Sequence, residues 1–256
     1  MENQFRIIGL SINDAYMNMA IDEAILKLCS IKKSPNTLRL YRWNPSAVSI
    51  GYFQSIEDEV NIEACKIMGI DVVRRITGGG AVYHDFEGEI TYSLIVKEDN
   101  PKIPFDIIKS YETICKGIIL GLKELGLNPE FKPINDIVIN NKKISGNAQT
   151  RKSGVVLQHG TILLDSNIQT MFKVLKVSDE KIRDKMIKAV EERVTTIKKE
   201  LGRKPSFEEV EEALKHGFED ALQVNFFEGS LTPEELKLAK ELKENKYSTK
   251  EWIFKR

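Results

Sequence analysis

The sequence predicts a mixed α/β fold, in which a sheet flanked by helices is followed by a mostly helical C-terminal part. Two patterns indicate this division. Up to residue 164, short apolar segments bounded by glycine, proline and asparagine outnumber the segments with helical spacing. From residue 167 onward, apolar residues recur at helical spacing within a heavily charged sequence. We therefore expect one domain over 1–256, with an α/β core at 1–165 and a mostly helical part at 166–256 packed on it.

The helices are predicted from apolar spacing and from capping residues. Residues 14–30 carry apolar side chains at helical spacing, with an aspartate at the N-cap position. A capping-box pattern at Ser55 predicts a second helix that ends at about Met68, before a glycine. An amphipathic segment predicts a third helix over 105–125. Further capping boxes at Ser206 and Thr232 predict helices in the second part.

The strands are predicted from short apolar segments that end at turn residues. Asn140 and Asn141 predict a two-residue hairpin turn, because asparagine tolerates positive φ. The predicted strands cover residues 38–43, 47–51, 71–75, 81–83, 90–96, 136–139, 142–145 and 155–164.

The composition limits the classes of function. Hydrophobic residues make up 41% of the chain, which suffices for a buried core. The formal net charge is zero, which disfavours a broad nucleic-acid or membrane surface. The cysteines are scattered without metal-ligand spacing, and neither a signal segment nor an apolar run of membrane-spanning length occurs. We therefore expect a cytoplasmic protein that binds no nucleic acid and no membrane.

A glycine-rich motif is the most distinctive feature of the first part. From residue 74 to residue 85 it reads Arg-Arg-Ile-Thr-Gly-Gly-Gly-Ala-Val-Tyr-His-Asp. Glycine permits positive φ and close approach to the backbone. Backbone N–H groups beside two guanidinium groups are suited to bind an anion such as a phosphate. The same glycines also fit an ordinary hairpin with exposed arginines, so both interpretations stay open at this point.

Three further short motifs follow in the second half of the predicted sheet. The ammonium of Lys143 is suited to stabilise negative charge that develops on a phosphate or carboxylate. Asp136 is a candidate Mg²⁺ ligand or orienting carboxylate, although it also fits a turn cap. The histidines at 84 and 159 lie near glycines in polar turns and are site candidates. In chain order the motifs are Asn135-Asp136, Lys143-Ile144-Ser145-Gly146-Asn147-Ala148 and His159-Gly160-Thr161.

Several familiar site patterns are missing from the sequence. It has no P-loop and no G-x-S-x-G nucleophile elbow. Its three histidines lack the spacing of a zinc site, and His216 fits the end of a helix. A P-loop nucleotide site, an α/β-hydrolase and a zinc enzyme are therefore disfavoured.

In their order along the chain, the motifs resemble the large catalytic domain of the lipoate–protein ligase A family. The likeness covers about residues 15–165 and includes Trp43-Asn44-Pro45 and Gly51-Tyr52-Phe53-Gln54 upstream of the glycines. It implies the class II synthetase-like fold of the biotin and lipoate ligases, with a mixed sheet flanked by helices.

The resemblance also implies residue roles. Lys143 is implied to be the catalytic residue, contacting the substrate carboxylate and the α-phosphate. The implied lipoate pocket consists of Trp43, Gly80, His84, His159 and Gly160, and Asp136 is the implied Mg²⁺ ligand. The implied contacts to ATP and lipoyl-AMP are Arg75, Gly78, Gly79, Gly80, Ala81, Val82, Tyr83, His84, Asn135, Asp136, Ser145, Gly146, Ala148 and His159.

The activity implied by the resemblance is that of an ATP-dependent ligase. Lipoate and ATP with Mg²⁺ give lipoyl-AMP, and the lipoyl group then passes to a lysine of a carrier. The implied carriers are the lipoyl domains of 2-oxoacid dehydrogenase complexes and the glycine-cleavage H protein. Full-length ligases of this kind continue past a Trp-x-Phe segment into a small domain, which this sequence lacks after Trp252 and Phe254. We therefore expect a separately encoded accessory subunit that contacts these two residues.

Two alternatives to the ligase stay open. One is a transferase that moves an octanoyl or lipoyl group from an acyl carrier. Related transferases use a cysteine nucleophile, which in one branch takes the place of Asn135-Asp136. The other is a domain that binds a lipoyl or acyl ligand without catalysis, and it leaves Arg75 and Lys143 without a clear purpose.

Overall fold

Two β-sheets form the centre of the computed structural model, which describes residues 5–176 and 183–255. The larger sheet has eight strands in the order β11-β1-β2-β6-β10-β9-β8-β7, and the smaller one has the order β4-β3-β5. In the larger sheet β1 pairs in parallel with β2 and β11, and the other pairs are antiparallel. The predicted mixed sheet flanked by helices is therefore confirmed.

The strands have the following bounds: Phe5–Asn13 (β1), Asn36–Trp43 (β2), Ala47–Ile50 (β3), Asp71–Arg74 (β4), Val82–His84 (β5), Glu89–Lys97 (β6), Glu130–Lys132 (β7), Asp136–Ile139 (β8), Lys142–Lys152 (β9), Val155–Leu163 (β10) and Phe226–Glu228 (β11). The helices are Ala15–Ser30 (α1), Ile56–Glu59 (α2), Ile62–Ile67 (α3), Ile107–Glu124 (α4), Ile168–Val174 (α5), Arg183–Arg193 (α6), Ile197–Leu201 (α7), Phe207–Leu222 (α8), Pro233–Leu242 (α9) and Lys250–Ile253 (α10). A π-helical turn, Lys243–Tyr247, joins α9 to the last helix.

Helices cover the two faces of the larger sheet differently. On one face, α4 and α8 pack over apolar side chains of β2, β6 and β10, including Leu94 and Val156. On the other face, α1 packs over Ile95, Val155 and Leu157 near one end of the same strands. Among the described residues, no helix combines the length and the apolar character needed to cross a membrane. The part of the second face that α1 leaves uncovered holds the site described below.

The register of β10 sets which polar groups face this uncovered part. His159 lies opposite Ser93 of β6 and Ala148 of β9. Thr161 lies opposite Thr91 of β6. Because side chains alternate along a strand, these residues point to the same face of the sheet. On this face β9 presents Gly146 and Ala148, whose side chains are absent or small, which leaves space above the sheet.

Several predicted elements are confirmed. Asp14 caps α1 by accepting a hydrogen bond from the backbone N–H of Met17, 2.8 Å away. Asn140 and Asn141 have φ values of 51° and 62°, as a two-residue hairpin turn between β8 and β9 requires. Thr232 forms the predicted capping box of α9.

The helix predicted from Ser55 to residue 68 is wrong as a continuous element. The chain breaks into α2 and α3, because Val60 is extended and forms an antiparallel bridge with Leu175. The backbone N–H of Asn61 donates to the carbonyl oxygen of Val174 at 2.8 Å, and the Asn61 side chain caps α3. A long-range pairing, invisible in the local sequence, therefore overrides the helical pattern.

The Arg74 side chain ties the last helix to the smaller sheet. Its buried guanidinium donates hydrogen bonds to five carbonyl oxygens, among them Gly51, Trp252 and Ile253. The indole N–H of Trp252 donates in return to the carbonyl oxygen of Arg74 at 2.9 Å. Trp252 is therefore engaged within the chain, whereas 44% of Phe254 is exposed. The accessory subunit proposed to contact them stays a prediction.

Candidate active site

A cavity of about 400 Å³ lies between the two sheets, on the face that α1 leaves uncovered. Its floor is formed by β6, β10 and β9, with His159, Thr161 and Ala148 among the lining residues. Its roof is formed by the glycine-rich segment between β4 and β5 and by residues of α5 and α6. A cavity of this size, mostly apolar with a few convergent polar groups, is typical of a small-molecule site.

The glycine-rich loop depends on two glycines, one for its backbone conformation and one for a close approach. Gly79 has φ = 93°, a conformation that side-chain-bearing residues rarely adopt. A Cβ atom on Gly51 would lie only 2.0 Å from the carbonyl oxygen of Gly79. The glycines are therefore required to bring the end of β3 against the loop, which places the loop over the cavity.

Arg75 holds this loop through all three of its guanidinium nitrogens. Nε donates to Thr77 Oγ1 at 3.2 Å, and Nη1 donates to the Ser49 carbonyl oxygen at 3.0 Å. Nη2 donates to the carbonyl oxygens of Gly78 and Gly80 at 2.8 and 2.7 Å. Burial lowers the pKa of Arg75 to about 10, which leaves it charged at neutral pH. In this structure Arg75 shapes the loop, and its predicted contact with a ligand anion stays a prediction.

His84 forms one polar wall of the cavity. Its Nε2 lies 2.8 Å from Ser49 Oγ, and its Nδ1 lies 2.7 Å from Glu89 Oε1. The imidazole stacks on Trp43 with ring centroids 4.0 Å apart. The indole N–H of Trp43 in turn donates to Thr91 Oγ1 at 2.7 Å. The predicted pocket residues Trp43 and His84 are thus in direct contact and are fixed by buried hydrogen bonds.

His159 lies at the boundary between the cavity and α1. Its Nε2 is 2.7 Å from Thr77 Oγ1, and its Nδ1 is 3.5 Å from Asp22 Oδ2. Burial lowers the pKa of His159, although the neighbouring carboxylate opposes this shift. Burial alone raises the pKa of Asp22, but the Arg39 guanidinium, 2.7 Å away, holds it below its ordinary value. The lowered pKa favours the neutral form of the His159 imidazole, which lies beside the buried Asp22–Arg39 ion pair.

Lys143 carries a partly exposed ammonium at the edge of the cavity. Its Nζ lies 2.7 Å from Asp136 Oδ1, and 41% of the Lys143 side chain is exposed. A Cβ atom on Gly146 would lie 2.6 Å from Lys143 Cε and 2.7 Å from Nζ. The backbone N–H of Thr195 donates to the Lys143 carbonyl oxygen at 2.8 Å and fixes the start of β9. Gly146 therefore provides the space that the ammonium occupies.

Asn135 is held beside this lysine by reciprocal amide hydrogen bonds. Its Nδ2 donates to the carbonyl oxygen of Asn147 at 2.5 Å, and Asn147 Nδ2 donates to the carbonyl oxygen of Asn135 at 2.9 Å. The hydroxyl of Tyr92 donates to Asn147 Oδ1 at 2.6 Å. The Asn135-Asp136 segment is thus fastened to β9, which carries Lys143.

Most of the residues predicted for the site line the cavity. They are Trp43, Arg75, Gly79, Gly80, Ala81, Val82, Tyr83, His84, Asn135, Lys143, Gly146, Ala148, His159 and Gly160. Gly78, Asp136 and Ser145 are not among the lining residues. Gly78 bonds to Arg75, Asp136 pairs with Lys143, and Ser145 is fully buried. The individual ligand contacts predicted for all these residues stay predictions.

A second group of lining residues was given no role from the sequence, although Asn147 and Thr161 lie within the quoted motifs. They are Met19, Tyr41, Ser49, Thr91, Asn147, Thr161, Leu163, Met171, Leu175, Val190 and Val194. Thr161 and Leu163 share a strand face with His159, so the alternation along β10 was an available signal. The residues of α5 and α6 reach the cavity only through the tertiary fold, and no local pattern marks them.

The buried His159 leads to a pH prediction. Because the pKa of His159 is lowered in the folded chain, the imidazole binds a proton below about pH 6.5 in the unfolded chain but not yet in the folded chain. The free energy of unfolding should therefore fall as pH drops from about 6.5 towards the folded pKa. Urea unfolding at several pH values checks this, and His159→Gln should flatten the slope in that window.

His216 provides an internal control of opposite sign. Its hydrogen bond to Glu124 raises its pKa, so its stabilising effect is present at low pH and is lost as pH rises through the folded value. His216→Gln should make the loss of stability towards acid steeper. A His159→Gln variant with an unchanged slope would contradict the assignment of the acid sensitivity to His159.

Comparison with known proteins identifies the class to which this fold and site belong. The family described as the lipoyl protein ligase A/B catalytic domain matches residues 14–219. The chain belongs to this family.

Curated relatives share sequence along almost the whole chain. The octanoyltransferase LipM of Brevibacillus brevis is 39% identical, over 99% of this chain and 99% of the relative. The octanoyltransferase LipM of Bacillus subtilis is 37% identical, over 93% of this chain and 94% of the relative. Both of these relatives are named as octanoyltransferases.

Solved structures share the fold. The bi-partite lipoate protein ligase of Thermoplasma acidophilum, described with its E2 lipoyl domain, has a TM-score of 0.87 and 36% identity, covering 99% of this chain and 96% of that one. A lipoate-protein ligase A bound with ATP has a TM-score of 0.84 and 32% identity, covering 99% of both chains.

The comparisons correct the activity predicted from the motifs. The curated relatives at 37–39% identity are octanoyltransferases, so the prediction of an ATP-dependent, adenylate-forming ligase is wrong. The predicted use of ATP, Mg²⁺ and free lipoate is wrong with it. The physical reason is that both reactions develop negative charge on an acyl oxygen beside a fixed ammonium, so motifs around Lys143 cannot separate them. Asp136, the predicted Mg²⁺ ligand, pairs with Lys143 instead.

Proposed function

We propose that this chain transfers an octanoyl group from the thioester of an acyl carrier protein to a lysine amine of a lipoyl domain. The observation that carries this proposal is the cavity between the sheets, with a lysine ammonium at its edge and apolar side chains along its walls. Such a shape suits a medium-length acyl chain whose carbonyl lies at the polar end. The full-length likeness to octanoyltransferases supports it.

The polar end of the site is defined by Lys143. The Arg75 guanidinium is occupied by the loop carbonyl groups and is 95% buried as a residue, whereas the Lys143 side chain is 41% exposed. The lysine is thus the cation that an acyl carbonyl oxygen can approach. Stabilising the oxyanion of a tetrahedral intermediate is the main electrostatic requirement of acyl transfer.

The apolar walls are provided by the two structural parts of the chain. Leu163 lies on β10, whereas Met171 and Val190 come from α5 and α6 in the mostly helical part. Met19 of α1 lines the cavity where that helix meets it. Burial of each methylene of an acyl chain against such walls contributes about 0.8 kcal/mol.

The proposed acceptors are the lipoyl domains of 2-oxoacid dehydrogenase complexes and the glycine-cleavage H protein. The bi-partite relative is described with an E2 lipoyl domain, which supports a lipoyl-domain acceptor for this chain. The three free cysteines fit a reducing compartment, so we place the reaction in the cytoplasm. A separately encoded accessory subunit belongs to the ligase interpretation and is not needed for the proposed transfer.

The test uses the purified chain, an octanoyl carrier protein and a lipoyl domain without its cofactor, in the absence of any nucleotide. We expect the mass of the lipoyl domain to increase by one octanoyl group, and a lysine-to-arginine variant of the acceptor to stay unmodified. A parallel reaction contains free octanoate and ATP in place of the carrier thioester. No modification by the carrier thioester, or modification only with octanoate and ATP, contradicts the proposal.

A further inference from the structure

Two buried hydroxyl groups join Arg75 to the two histidines of the cavity. Ser49 Oγ lies 3.1 Å from Arg75 Nη1 and 2.8 Å from His84 Nε2. Thr77 Oγ1 lies 3.2 Å from Arg75 Nε and 2.7 Å from His159 Nε2. Ser49 and Thr77 are at most 2% exposed, so solvent hardly reaches either hydroxyl. Each histidine is therefore connected through one hydroxyl to the same guanidinium.

The direction of these hydrogen bonds follows from the chemistry of arginine. A guanidinium has donors only, so both hydroxyl oxygens accept from Arg75. Each hydroxyl has one hydrogen, and the Nε2 atom of its partner histidine lies within 2.8 Å as an acceptor. A buried donor without an acceptor is costly, so both hydrogens point to the rings. The Nε2 atoms of His84 and His159 are therefore the accepting nitrogens.

The second nitrogen of each ring faces a buried carboxylate. His84 Nδ1 is 2.7 Å from Glu89 Oε1, and His159 Nδ1 is 3.5 Å from Asp22 Oδ2. The side chains of Glu89 and Asp22 are 0% and 2% exposed. A neutral ring whose Nε2 accepts carries its hydrogen on Nδ1, where it points towards the carboxylate. The lowered pKa of His159 agrees with an uncharged ring.

We propose that Ser49 and Thr77 are positioning residues, whose hydroxyl groups hold His84 and His159 as uncharged imidazoles with the hydrogen on Nδ1. Both rings line the cavity, and each Nε2 is turned to a hydroxyl. The acyl oxygen is thereby directed to the ammonium of Lys143 rather than to an imidazole N–H group. This consequence for catalysis rests on the proposed transferase function, whereas the position of the ring hydrogens does not.

Nitrogen NMR of the chain, isotopically labelled at the histidine nitrogens, locates the ring hydrogens without any substrate. The chain has three histidines, and His216, whose side chain is 51% exposed, serves as the reference. The signals are assigned with His84→Gln and His159→Gln. We expect a protonated Nδ1 and an unprotonated Nε2 in both cavity histidines at neutral pH. A hydrogen on Nε2 of either ring overturns the inference.

Removal of one hydroxyl at a time tests whether each acts on its own ring. Ser49→Ala should change the Nε2 signal of His84 and leave that of His159 in place, and Thr77→Val should do the reverse. Ser34→Ala is the matched control, because it removes a buried serine hydroxyl outside the cavity. It should leave both rings unchanged. An unchanged signal of the partner ring in Ser49→Ala or in Thr77→Val overturns the inference.

Transfer kinetics test the consequence for catalysis. In Ser49→Ala the Nε2 atom of His84 is free to bind a hydrogen and to hold the acyl oxygen of the bound donor away from Lys143. A contact made before the transition state but not in it lowers kcat and KM together. We expect both constants to fall about 2–10-fold, the value of one ordinary hydrogen bond, and to stay unchanged in Ser34→Ala. Unchanged constants in Ser49→Ala, or a fall of kcat alone, overturn the positioning role.

A conservative variant completes the test. Thr77→Ser keeps the hydroxyl that Thr77→Val removes, so it should restore both the ring signal of His159 and the kinetic constants. Loss of both in Thr77→Ser, with the fold intact by thermal unfolding, overturns the inference. If a variant does not fold, the ring signals of the unaltered chain decide. Failure of the unaltered chain to use the carrier thioester overturns the proposed function instead, so the two failures are distinguishable.

Discussion

Lys143→Ala is expected to lower the rate of acyl transfer about 10²–10³-fold, which corresponds to roughly 3–4 kcal/mol of lost transition-state stabilisation. The ammonium lies at the edge of the cavity, 2.7 Å from Asp136, where it can meet the oxyanion of the tetrahedral intermediate. The fold should be retained, because the side chain is 41% exposed and a surface ion pair contributes little to stability. The measurement is the single-turnover rate, together with thermal unfolding of both proteins.

Two variants sharpen the interpretation of this experiment. Lys142→Ala removes a neighbouring positive charge that does not line the cavity, so it should leave the rate nearly unchanged. Gly146→Ala keeps the lysine but places a Cβ atom 2.6–2.7 Å from the end of its side chain, so the ammonium must move. We expect Gly146→Ala to slow transfer while the fold survives. A normal rate in Lys143→Ala, or an equal loss in Lys142→Ala, would contradict the role of Lys143.

The local parts of the fold and site could be predicted because their causes are local. Asp14 caps α1, and Asn140 and Asn141 adopt positive φ in a hairpin, each through the chemistry of the residues themselves. The glycine-rich loop and Lys143 were recognised from short motifs for the same reason, and the structure brings them to one cavity.

What could not be predicted depends on residues far apart in sequence. The break at Val60 comes from a bridge to Leu175, more than a hundred residues away. Met171 and Val190 reach the cavity because α5 and α6 cross over the larger sheet, which no local pattern encodes. The reaction type was missed for a different reason. A ligase and a transferase both need an ammonium beside an acyl oxygen, and the distinction lies in which donor supplies the acyl group.

The buried ion pair beneath the cavity should carry a large share of the stability. Asp22 accepts hydrogen bonds from Arg39 at 2.7 Å, from Ser93 at 2.8 Å and from Tyr41 at 3.2 Å. Asp22 and Arg39 are each 1% exposed, so water cannot replace a lost partner. The pair joins α1 to β2 and also lies against His159 of the site.

Asp22→Asn is therefore expected to lower the free energy of unfolding by about 3–5 kcal/mol, because it leaves the Arg39 guanidinium buried without a counter-charge. This is a large part of the 5–15 kcal/mol that is typical of a domain. Urea unfolding measures the loss, and Asp220→Asn, the same exchange at an exposed position of α8, should stay within about 0.5 kcal/mol of the unaltered chain.

A paired replacement separates the missing charge from the missing packing. When Arg39→Met is combined with Asp22→Asn, no buried charge is left unbalanced, so the double variant should lose less stability than the sum of the two single variants. Strict additivity would show that the two side chains act independently. It would also place the cause of the Asp22→Asn loss in its hydrogen bonds to Ser93 and Tyr41 rather than in the ion pair.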